Sequence, residues 1–164
     1  MTCFRVTHEE QLPSLINEQI DKLALQSHQI LIVVGATTEL LKLLDQIPSL
    51  AISELLCEKL LPLASKRRVD EVEALLADLI AAQKAGPVLL ERIHLLFEPS
   101  LQLEVLRCLK ALSKHTTLII DWPGTYNGAA LSFSMPGKPD YFYYSETELS
   151  SLPVLWLTGN GEQA

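Results

Sequence analysis

The sequence predicts an α/β fold, a doubly wound and mainly parallel sheet, on three observations. Short apolar runs rich in β-branched residues end at turn residues, and stretches of helical period lie between them. A length of 164 residues suits one domain with a sizeable core. Strands that are apolar at every position are buried on both faces, which calls for helices on both sides of the sheet and crossovers of one hand.

The elements follow in order. From about 9 to 25, Leu12, Leu15, Ile16, Ile20 and Leu23 recur at 3- and 4-residue spacing and make one apolar helix face, with Pro13 fitting only in the first turn. Ile30 to Val34 is a strand ending at Gly35, after which Thr37 or Thr38 caps a short helix that stops before Pro48. Leu50 to Ile52 reads as a short second strand, followed by helical residues up to Pro62. Between Val69 and Lys84, Val72, Leu75, Leu76, Leu79 and Ile80 form a helical stripe that Gly86 ends. Val88 to Leu90 is a third strand, Pro99 and Ser100 open a helix running to Leu112, and Thr117 to Ile120 is a fourth strand closed by Asp121-Trp122-Pro123-Gly124. Beyond Gly124 the texture changes, because eight of the ten aromatic residues fall between Trp122 and Trp156. Leu131 to Phe133 and Tyr141 to Tyr144 read as a strand pair or extended arm. The expected organisation is a single domain over 1–164, with an N-terminal helix at 9–25, a core at 29–124 and an aromatic C-terminal β arm at 125–164.

Composition narrows the function classes. With 48% apolar and 20% charged residues the chain belongs with packed globular proteins. Cys3, Cys57 and Cys108 share no short spacing, and His8, His28, His94 and His115 lack the pairing that puts two ligands on one helix face. No metal site is expected. A formal net charge of -7 opposes a phosphate backbone, and the one cluster of bases is Lys66-Arg67-Arg68, so direct nucleic-acid binding is disfavoured. The sequence carries neither a signal-like start nor an apolar run of membrane-spanning length. A cytoplasmic protein without a membrane partner is expected.

The turn after the first strand is where an α/β protein of nucleotide-binding type places its phosphate loop. Such a loop reads G-x-x-x-x-G-K-[ST], with glycines that let backbone N–H groups surround the phosphates, a lysine that reaches them and a hydroxyl that binds Mg²⁺. Here the chain reads Gly35-Ala36-Thr37-Thr38-Glu39. If Thr38 matches the metal-binding hydroxyl, Thr37 stands where lysine should, and Glu39 puts a negative charge at the helix N-terminus. Both changes oppose ATP. The third strand continues into Glu91-Arg92 where an acidic pair would hold Mg²⁺ and water, and the fourth ends in Asp121, a sensor-like position. Gly35, Thr37, Thr38, Glu91 and Asp121 are therefore the nucleotide-site equivalents. Their plainer roles are strand ends and a helix cap. No G-x-S-x-G elbow or grouping of Ser, Cys and His suggests a hydrolase, so no catalytic residue is assigned.

Leu89-Leu90-Glu91-Arg92-Ile93-His94-Leu95-Leu96-Phe97-Glu98-Pro99-Ser100-Leu101, Thr117-Leu118-Ile119-Ile120-Asp121-Trp122-Pro123-Gly124 and Pro136-Gly137-Lys138-Pro139-Asp140-Tyr141 resemble the BrxF proteins of type 3 BREX (bacteriophage exclusion) systems, which are small P-loop-containing proteins. The similarity extends more faintly over about Ile30 to Tyr144. It implies a P-loop NTPase fold with an AAA-like core and a role in antiphage defence beside larger partners, a DNA methyltransferase among them. The family pattern has a full Gly-Lys-Thr loop and an acid at the position of Glu91, and this chain departs from it at the loop. The expectation is an accessory binding or scaffold subunit that has lost ATP hydrolysis and needs no cofactor, with other BREX proteins or a second copy as partner. The alternative is a small ATPase that takes ATP and Mg²⁺ through an atypical loop completed by a partner. Trp122, Tyr141, Tyr143 and Tyr144 are the expected contact residues, because aromatic side chains are enriched at interface hot spots.

Overall fold

The computed structural model describes residues 2–37, 41, 44, 46–83, 86–149 and 152–158. Its strands are β1 (Thr2–Val6), β2 (Ile30–Val34), β3 (Ser49–Ala51), β4 (Val88–Glu91), β5 (Leu118–Trp122), β6 (Thr125–Tyr126), β7 (Leu131–Phe133), β8 (Phe142–Tyr144) and β9 (Pro153–Leu157). The helices are α1 (Leu12–Leu23), α2 (Ile52–Leu60), α3 (Ser65–Ala81), α4 (Val105–Leu112) and α5 (Glu146–Leu149), with short 3-10 turns at His94–Phe97 and Pro99–Leu101. A six-stranded sheet has the order β1-β9-β2-β5-β4-β3, and every pairing in it is parallel. This is the α/β architecture expected from the alternation of apolar strands and amphipathic helices.

Alternation along each strand divides the core between the two faces of the sheet. Ile30, Ile32, Leu90, Ile120 and Val154 point to one face, where they meet α2, α3 and α4. Leu31, Val33, Leu89, Ile119 and Leu155 point to the other, against α1 and the residues Leu41 and Leu44. The chain moves across the sheet in one direction, β1 to β2 to β3, by connections on the α1 face. It returns, β3 to β4 to β5 to β9, by connections on the opposite face, as crossovers of a single hand require.

Three local expectations are corrected. The helix expected from Pro99 to Leu112 is broken by Gln102, which adopts φ 52°, and α4 starts only at Val105. Its cap is Glu104, whose carboxylate accepts from Arg107 N at 3.0 Å. The terminal segments also depart from an N-terminal helix followed by a core and an arm. Residues 2–6 form an additional strand, and β9 is inserted between β1 and β2 in the main sheet. Among the described residues of 125–164, an arm is formed by β6, β7 and β8, which make a small antiparallel sheet, and β9 belongs to the main sheet.

That small sheet lays Tyr126, Phe133, Phe142 and Tyr144 inward. Trp122 and Tyr144 are 3% and 4% exposed, so these two expected contact residues are core residues instead. Phe97 lies at the centre, stacked on Phe133 at 4.1 Å between centroids and meeting the edges of Trp122 and Phe142 at 5.4 and 5.0 Å. The outward row is Thr125, Ser132 and Tyr143, with Tyr143 exposed and Tyr141 half-buried. Period 2 along β8 is the reason: Phe142 and Tyr144 share the buried side, and Tyr143 takes the other.

Tyr144 also braces α4. Its hydroxyl donates to Glu104 Oε1 at 2.6 Å and accepts from Leu106 N at 3.3 Å, tying β8 to the helix cap. Tyr144→Phe leaves the buried Leu106 N–H without that acceptor and is expected to cost about 2 kcal/mol in urea unfolding. Tyr143→Ala, at an exposed position, is expected to stay within about 0.5 kcal/mol of the parent. Equal losses for the two variants would contradict this packing.

Candidate functional site

In an open parallel sheet, ligands are taken beyond the carboxyl ends of the strands, where neighbouring connections leave to opposite faces. Here that place is the boundary between β2, whose connection leaves to the α1 face, and β5, whose connection leaves to the other. Register brings the ends of β2, β5 and β4 side by side: Val33 pairs with Asp121, and Leu90 pairs with Ile120. Of the predicted site residues, the fold therefore gathers Gly35, Thr37, Glu91 and Asp121 at one edge. Thr38 and Glu39 lie outside the described residues, and so does a cap made by Thr38. The Thr37 carbonyl accepts from Leu41 N at 3.0 Å.

Gly35 is a glycine for a packing reason. It adopts φ +88°, and a Cβ there would overlap the carbonyl oxygen of Leu157 at the end of β9. The residue closes β2 against its neighbour strand, which accounts for the glycine without any phosphate.

The electrostatics of this edge are acidic. Glu91 and Asp121 are half-buried on neighbouring strands. Burial first, and with it the charge of Glu91, raises the Asp121 carboxyl from 3.8 to about 6. Arg92, the one cation beside them in sequence, does not offset this. It turns back at φ 54° and its guanidinium pairs with Glu54 on α2 at 2.6 Å. The Arg92 carbonyl accepts from both the backbone N–H and the hydroxyl of Ser53, which locks that turn.

A pH dependence follows. A carboxyl whose folded pKa is raised stabilises the fold below its unfolded value, and that contribution is lost as pH rises through about 6. The full shift corresponds to about 3 kcal/mol, and solvent screening at a half-buried side chain reduces it to about 1 kcal/mol. Asp121→Asn is therefore expected to gain about 1 kcal/mol on the parent between about pH 4 and pH 7, read from urea melts at both values. A constant difference between the two proteins would contradict it.

Among the described residues this edge offers a cation Glu91 and Asp121, and no group of three or more His, Cys, Asp or Glu side chains could hold a metal ion. No helix of the described residues is long and apolar enough to cross a membrane. The cluster at 66–68 is largely engaged within the chain. Arg67 pairs with Glu71 at 2.8 Å, and Arg68 donates to the carbonyls of Leu60, Leu61 and Leu63 that end α2.

Sequence reasoning passed over a second place altogether. A cavity of about 590 Å³ opens beside α2, lined among others by Leu55, Cys57, Glu58, Leu61 and Leu95. Its signal was faint, since one exposed leucine after a helix is ordinary in sequence. No family model, curated protein or solved structure matches this chain.

Proposed function

We propose that the chain is a binding or scaffold subunit of a bacteriophage-exclusion assembly, built on a P-loop-like domain that no longer hydrolyses nucleotide. One observation carries the loss of hydrolysis. The strand ends that would surround a triphosphate present Glu91 and Asp121, while Arg92 is held by Glu54. A triphosphate placed there would meet two carboxylates with no lysine in the described part of the loop. The assignment to phage defence is supported by the resemblance to the BrxF family alone.

The test is a pull-down of the tagged protein from its native host. Recovery with a DNA methyltransferase and other large partners supports the reading, and recovery of the protein by itself contradicts it.

A small ATPase is the second reading. It is favoured by the adjacency of β2, β4 and β5, which brings an acid and a polar strand end beside the loop as nucleotide hydrolysis requires. Under it a partner supplies the missing cation.

A further inference from the structure

We propose that the groove between α2 and the turns at 94–101 docks an amphipathic helix of a partner protein, one with lysine or arginine flanking its apolar stripe. The inference goes beyond the nucleotide question, since none of Gly35, Thr37, Glu91 and Asp121 lines this groove. The 590 Å³ cavity continues into a smaller one of about 100 Å³ that reaches Arg68, Glu98 and Leu101, and Cys57, Leu61 and Leu95 line both. Leu61 is 65% exposed, and Leu55 and Leu95 are half-buried. Together they form an apolar strip alongside a helix, the shape into which a stripe of residues at i, i+3, i+4 and i+7 fits.

The polar groups in the floor are already committed. The Ser53 hydroxyl donates to the Arg92 carbonyl, accepts from Leu95 N at 3.1 Å and lies 3.3 Å from His94 Nδ1. With its proton engaged, Ser53 is a strut and not a nucleophile. Outward the groove presents Leu61, Glu58 and Glu98 beside Cys57 and His94.

Charge identifies the occupant. Glu54 is neutralised by Arg92, and the Arg68 guanidinium is turned to backbone carbonyls. Glu58 and Glu98, near the two ends of the strip, have no cation paired with them among the described residues. The complement is a helix with a cation on each flank. A second copy suits the groove poorly: the chain carries a net charge of -7, and Arg67 and Arg68 of its basic cluster are engaged internally.

Cys57 supplies a handle for the test. It is exposed, whereas Cys108 is buried with its thiol pushed up to about 12 by desolvation. The probe is a fluorescent synthetic peptide of about 14 residues, roughly four helical turns, with a leucine stripe flanked by lysines. Its twin carries glutamate at the flanking positions, and binding is followed by anisotropy. The lysine peptide is expected to bind the parent at least about tenfold tighter than the twin, with the preference reversed by Glu58→Lys combined with Glu98→Lys. Leu61→Ser is expected to weaken binding about tenfold at unchanged melting temperature. A bulky maleimide is expected to block binding to the parent and spare Cys57→Ser. Equal affinity for the two peptides, no binding of the lysine peptide at about 1 mM, or binding indifferent to these substitutions would overturn the proposal.

Discussion

Phe97→Ala is expected to destabilise the chain by about 4 kcal/mol, the largest loss foreseen for a single substitution here. Phe97 is 1% exposed and joins the small antiparallel sheet to the main one, with Phe133 stacked on it and Trp122 and Phe142 at its edges. Truncation removes a buried aromatic ring and leaves a cavity that three other rings cannot close without leaving their rotamers. Urea unfolding measures the loss directly. A loss below about 1 kcal/mol would show that β6, β7 and β8 do not pack on the sheet as described.

Gly35→Ala is expected to cost about 3 kcal/mol, combining a left-handed backbone that alanine resists with overlap against the Leu157 carbonyl. The damage should be local to the β2 and β9 carboxyl ends, so hydrogen exchange there should accelerate before that of β4 and β5. A glycine kept only for a ligand would tolerate alanine in the free protein. Unchanged stability would therefore contradict the packing explanation and return Gly35 to a binding role.

The strands β2, β4 and β5 were legible because each is apolar at consecutive positions and bounded by turn residues, a pattern that double burial imposes. β1 was not. Thr2–Val6 contains Arg5 and Cys3 and runs along the sheet edge, where the pattern is weaker. β9 was masked by its neighbours: Pro153–Leu157 carries Trp156, and an aromatic texture shared with 122–144 suggested a common arm. No local signal says that a strand at the C-terminus will insert between β1 and β2, since that choice belongs to long-range pairing.

At the candidate site, sequence placed Gly35, Glu91 and Asp121 at strand ends, and the sheet order brought those ends together. It could not say that Arg92 would turn back to Glu54, because that depends on a left-handed turn fixed by Ser53 from another element. The aromatic residues illustrate a different limit. Period 2 along β8 puts Phe142 and Tyr144 on one face and Tyr143 on the other, yet which face is covered depends on Phe97, distant in sequence.

The proposal that the carboxyl edge of this sheet does not hold nucleotide is tested most directly by titration calorimetry of the isolated protein with Mg-ATP. The acidic strand ends and a segment after β2 without the Gly-Lys-[ST] motif predict a dissociation constant no tighter than about 1 mM, about 4 kcal/mol of binding energy. Micromolar affinity, together with ATP turnover that Glu91→Ala abolishes, would contradict the claim and establish the small ATPase in its place.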